Sequence, residues 1–95
     1  MPTKDEYVRK MHSKLDLWSA EIDKLAAQMD KAEASAHVEY YKQIETLRLK
    51  QNEAKHKLEQ LQNAGESAWE DMKAGVEMAW DAMSEAIDSA SSRFK

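Results

Sequence analysis

The sequence holds no cysteine, one proline (Pro2) and two glycines (Gly65 and Gly75) in 95 residues. Without cysteine there is neither a disulfide framework nor a thiolate zinc site. So few turn formers cannot punctuate a many-stranded sheet, which excludes sandwiches, barrels and Rossmann-type folds. Uninterrupted apolar runs stop at three residues, as in Leu25-Ala26-Ala27 and Met78-Ala79-Trp80, against the ~20 needed to span a bilayer. No transmembrane segment is predicted. The polar start Pro2-Thr3-Lys4-Asp5-Glu6 has no apolar stretch of the kind found in a secretory signal, so a cytoplasmic chain is the default expectation.

What the sequence does have is charge and helix formers. Charged side chains make up 34% of it, 18 acidic and 14 basic, for a net charge of −4. Fourteen of the apolar residues are alanine, so large core-forming side chains are scarce. Those that exist recur at alternating steps of three and four: Val8, Met11, Leu15, Trp18, Ile22, Leu25 and Met29, continuing to Ala32 and Ala36. This is the spacing of a coiled-coil seam. The stripe then steps by four to Tyr40 and Ile44 before resuming at Leu47, Gln51, Ala54, Leu58 and Leu61. Consecutive steps of four shift its phase by one residue. Charges fill the other faces, with pairs such as Asp5–Arg9 and Glu53–Lys57 at i,i+4.

Helix ends are marked at two places. Thr3-Lys4-Asp5-Glu6 reads as a capping box that starts a helix, and Asn63-Ala64-Gly65 supplies a C′ glycine to end one, with Lys55, His56 and Lys57 near the negative end of the dipole. Ser67-Ala68-Trp69-Glu70 reads as a second capping box. The prediction is an all-α chain: a long helix of about 3–63, a turn at 64–66 and a shorter helix of about 67–94. A continuous helix through Gly65 is the alternative at that point, since a glycine costs only ~1 kcal/mol in a helix interior. A further bend in the weak stretch from Asp30 to His37 would divide the chain into near-equal thirds (3–30, 35–63, 67–94) and give a three-helix bundle. That stretch, however, is rich in alanine and contains no glycine or proline.

The helix lengths have a consequence. At ~1.5 Å per residue the first helix would be ~90 Å long and the second ~42 Å. Folded back, the second covers only half of the first and leaves the seam Val8, Met11, Leu15, Trp18, Ile22, Leu25 and Met29 without a partner in its own chain. Each such side chain gains ~1.5–3 kcal/mol on burial, so the expectation is an oligomer, most simply a dimer, with that seam as its interface. Charge divides along the same line: residues 1–64 carry 11 basic and 11 acidic groups, and 65–95 carry 3 and 7.

The C-terminal helix is patterned differently. Ala68-Trp69-Glu70-Asp71-Met72 recurs eleven residues later as Ala79-Trp80-Asp81-Ala82-Met83. That period keeps Trp69, Met72, Val76, Trp80, Met83, Ile87 and Phe94 on one broad face. The face suits packing or partner contact. It also suits an interfacial membrane helix, although its polar side is acidic where anionic lipids favour Lys and Arg.

Chemistry-bearing patterns are weak. Glu53 and His56 make a single Glu-x-x-His, whereas di-iron bundles need two such motifs and two more glutamates facing the core. Glu33 and His37 share a helix face, as many surface pairs do, and His12, His37 and His56 are expected on the surface. No metal or cofactor is predicted. No phosphate-binding glycine loop or nucleophile–base arrangement is recognisable, so the chain is not expected to be an enzyme. Lys42, Arg48, Lys50, Lys55 and Lys57 form a basic stretch, but Glu45, Glu53 and Glu59 interrupt it, which disfavours nucleic acid as a partner.

Four segments carry a resemblance: Asp5-Glu6-Tyr7-Val8; Leu15-Asp16 with Trp18 and Glu21-Ile22-Asp23-Lys24-Leu25; Tyr41-Lys42-Gln43-Ile44-Glu45-Thr46-Leu47; and Ala68-Trp69-Glu70-Asp71-Met72-Lys73-Ala74-Gly75-Val76-Glu77 through Trp80. In these the chain resembles a family of small bacterial coiled-coil stress-response proteins, over nearly its whole length. The resemblance implies a coiled-coil structural or protein-interaction role linked to stress, and brings no catalytic residues. A lipid-surface protein using the Trp69 and Trp80 face is the alternative reading.

Overall fold

The computed structural model describes residues 3–93, which form three α-helices joined by two short turns: α1, Lys4–Lys31; α2, Ala34–Gln62; and α3, Ala68–Arg93. Cross-helix contacts between Lys4 and Gln62, Leu15 and Gln51, and Trp18 and Trp80 set α1 antiparallel to α2 and parallel to α3. The bundle measures 51 × 18 × 16 Å. This is the three-helix bundle that the spacing left open. The single helix expected over 3–63 is instead two helices folded against each other.

The break falls at Ala32 and Glu33, whose backbones are extended (φ −81°, ψ 162° and φ −65°, ψ 151°). Helix propensity opposes a break there, and burial decides the matter. Folding back lets α1 hide Val8, Met11, Leu15, Trp18, Ile22 and Leu25 against its own chain. At ~1.5–3 kcal/mol each, these six are worth on the order of 10 kcal/mol. Interrupting a helix forfeits only a few backbone hydrogen bonds at ~1 kcal/mol net apiece. Covering the seam with a second chain would gain similar burial but cost several kcal/mol in lost translational and rotational freedom. The seam predicted at Val8–Met29 is therefore corrected: six of its seven residues are covered by the chain's own helices, and Met29 is half-buried beside the turn.

Side chains finish the helix ends, two of them from close by in the sequence and one from far along it. Thr3 accepts a hydrogen bond from the Glu6 N–H at 3.2 Å, as its cap position requires. The carbonyl of Ala32, just past α1, accepts from His37 Nε2–H at 3.0 Å. At the far end of the bundle Lys4 Nζ donates to the carbonyls of Gln62 and Ala64, both at 3.0 Å, and so places a cation on the negative end of α2. Two predicted caps take other forms. Gly65 does not adopt a positive φ, so the left-handed C′ cap is not made. No bond joins Ser67 to Glu70; the Gly65 carbonyl accepts instead from the N–H groups of Ala68 and Trp69, at 3.1 and 3.2 Å.

Candidate interaction surface

The predicted C-terminal face is also spent on packing. Trp69, Val76, Trp80, Met83 and Ile87 are buried, Met72 is half-buried, and Phe94 lies outside the described residues. The eleven-residue spacing of Trp69 and Trp80 has a counterpart in α1, at Tyr7 and Trp18. Because the two helices run parallel, the rings meet in register: Tyr7 with Trp69 at 5.8 Å between centroids and Trp18 with Trp80 at 5.4 Å, tilted by 42° and 49°. Such pairs add ~0.5–1.5 kcal/mol beyond the area they bury. Sequence reasoning passed over Tyr7 because it stands beside the seam residue Val8; its match to the tryptophan period was the available signal. The tryptophan face meets its own core, and only an opened bundle could offer it to a lipid surface.

One cluster of polar groups closes the end of the bundle near Tyr7. Lys73 Nζ lies 5.3 Å from the Tyr7 ring centroid and 5.2 Å from that of Trp69, which gives it two aromatic faces. The Tyr7 hydroxyl points to Glu77 Oε1 at 3.5 Å. Burial, with the Glu77 carboxylate beside it, pushes the Tyr7 phenol up to about 12. Trp80 Nε1 is buried with no acceptor, a desolvation cost of ~1–3 kcal/mol that the ring's packing offsets. These groups hold α3 to α1. Lys73 already lies over both rings, so that aromatic site is taken by the chain's own cation.

On the α1–α2 side Gln51, the polar residue in the α2 stripe, donates to the Leu15 carbonyl at 3.2 Å and to Ser19 Oγ at 2.7 Å. A shallow polar depression of about 320 Å³ lies next to it, lined by His12, Asp16, Ser19, Asn52 and Lys55 among others. His37 is half-buried and bonded at the turn, not a solvated surface group. Among the described residues no three or more His, Asp or Glu side chains gather into a metal-binding group. No helix there is long and apolar enough to cross a membrane.

The outward side of α2 carries three of the five large apolar side chains that stand exposed among the described residues. Val38, Tyr41 and Leu49 are 61%, 56% and 65% exposed on one side of α2; singly exposed apolar side chains are ordinary, and it is their grouping on one face that marks a contact surface. Beside Val38 and Tyr41 runs an open groove of about 570 Å³, floored by Met29 and His37 and edged by Lys42 and Glu45. The Tyr41 hydroxyl donates to Glu45 Oε1 at 3.0 Å, and this bond raises the pKa of the phenol. Elsewhere Leu17 and Met78 stand exposed on the other two helices. The sequence reading missed this surface because it followed the inward stripe only. Comparison with protein-family models, with curated proteins and with solved structures finds no match to the chain.

Proposed function

We propose that this chain is a non-enzymatic protein-interaction module, a self-contained three-helix bundle that works by presenting the outward side of α2 to another polypeptide. The observation that supports this is the placement of Val38, Tyr41 and Leu49 in solvent on one helix, the first two beside an open groove, while the inward stripes of all three helices close the core. The stress association comes from the sequence resemblance alone. The lipid-surface alternative has no comparable support, since the Trp69 and Trp80 rings pack inside.

A photo-crosslinking residue in place of Val38 tests the reading in cells that make the protein, with the same residue in place of Asp81 on α3 as the control. The expected result is a discrete polypeptide adduct at position 38 and none at 81. No adduct at 38, or equal adducts at both, overturns it.

A further inference from the structure

Resting on that reading, the geometry points to a specific occupant: we propose that the outward face of α2 pairs with the same face of a second copy of this chain, antiparallel about a twofold axis midway between Lys42 and Glu45. The helix carries Val38, Lys42, Glu45 and Leu49 along one exposed line, at steps of four, three and four. That is seam spacing turned outward, and none of the four is used in the bundle's own core.

The line is self-complementary when reversed. An axis midway along it brings Val38 opposite Leu49 of the second copy and Lys42 opposite Glu45 of the second copy, and a twofold contact forms each pairing twice. The apolar pairing has a shape to match. Leu49 stands 65% exposed, eleven residues or ~16 Å along the helix from Val38. Val38 edges the groove floored by Met29. Each copy therefore offers one protruding leucine and one apolar groove at the separation that lets the two exchange. The charges agree with the same register: Lys42 and Glu45 are exposed and have no ion-pair partner among the described residues. A parallel pairing would set Lys42 against Lys42 and Glu45 against Glu45, so charge selects the antiparallel one. Glu45 accepts from Tyr41 through one oxygen, which leaves the other for a lysine. The surface holds only three large apolar side chains per copy, so the dimer is weak, with a Kd on the order of micromolar to hundreds of micromolar.

Sedimentation equilibrium from about 1 μM to 1 mM protein, a range that brackets such affinities, tests the pairing. All variants lie on the exposed face, and circular dichroism confirms that each is folded. The wild type is expected to pass from monomer to dimer. Leu49→Glu is expected to stay monomeric throughout, and Lys42→Glu or Glu45→Lys alone to weaken the dimer about tenfold, as two like-charge contacts of ~0.7 kcal/mol each would do. Lys42→Glu combined with Glu45→Lys restores it, because the swap keeps every contact opposite in sign. A wild-type monomer at all concentrations overturns the proposal, as does a dimer that survives Leu49→Glu or a double variant no better than the singles. An adduct at position 38 to a different protein, with no dimer, overturns the self-pairing and leaves the interaction module standing.

Discussion

The two turns of this bundle do the same job with opposite sequences. The second, between Gln62 and Ala68, runs through Asn63, Ala64, Gly65, Glu66 and Ser67, residues that commonly end and start helices. The first has only Ala32 and Glu33, set between residues with strong helix propensity. Both are nonetheless fastened by a side chain that reaches a helix-end carbonyl: His37 at the first, Lys4 at the second. The punctuation at the second turn is also less used than it looks, because Gly65 has no positive φ and Ser67 makes no cap. Helix ends in this chain are decided mainly by what folding back allows the flanking helices to bury.

If burial holds both turns, the largest effect belongs to a core residue remote from either. Ile22 is 1% exposed, between α1 and its neighbours. Ile22→Ala is expected to lower stability by ~2–5 kcal/mol in urea unfolding, with Met29→Ala, half-buried at the first turn, costing clearly less. Equal losses would locate the determinant in the turn itself.

Alkali is expected to loosen the end of the bundle near the second turn. The folded-state pKa of Tyr7 is raised to about 12 from 10, so the folded protein holds a proton that the unfolded chain has released between those values. The stability this phenol contributes is intact below pH 10 and is lost as pH rises through about 12. Tyr7→Phe should remove that part of the alkaline decline; an unchanged profile would contradict the assignment.

The two side-chain caps differ in charge, and so should their deletions. Lys4→Met removes two bonds from an ammonium, and a loss of ~1 kcal/mol is expected after allowing for its partial exposure. His37→Ala removes a single bond, for ~0.5–1 kcal/mol. Salt should weaken the first contribution and leave the second nearly unchanged. The smallest effect is at the glycine of the second turn. A Cβ at Gly65 would meet nothing within 4 Å, and its φ is not positive. Gly65→Ala should therefore be neutral or stabilising by a few tenths of a kcal/mol. A loss of 1 kcal/mol or more would mean that the turn needs its glycine after all.

Much of the fold is readable in the residues. The inward stripes of all three helices and the Thr3 cap follow from spacing and capping chemistry, and the residues around Gly65 mark the place of the second break although neither predicted cap forms there. The first turn does not, because a rule based on glycine and proline cannot register it. Two weaker signals were present: no large inward side chain stands between Met29 and Tyr40, and the stripe slips phase just beyond, from Ala36 to Ile44. A helix crossing that gap has little to bury there, which is where bending costs least. The contact surface was harder to see. Exposed Val38 and Leu49 look like noise on a polar face until α1 and α3 are in place to show which side of α2 remains open.

The central claim, that the chain folds back at Ala32 and Glu33, meets its most direct test in Ala34→Pro. Ala34 is the first residue of α2, is exposed, and follows a residue already extended at φ −65°, ψ 151°. A proline at that position loses no helical hydrogen bond and suits the preceding conformation. Thermal unfolding should show the same Tm as wild type or one a few degrees higher. A continuous helix through this point would lose ~3 kcal/mol or more, and the corresponding fall in Tm would contradict the account.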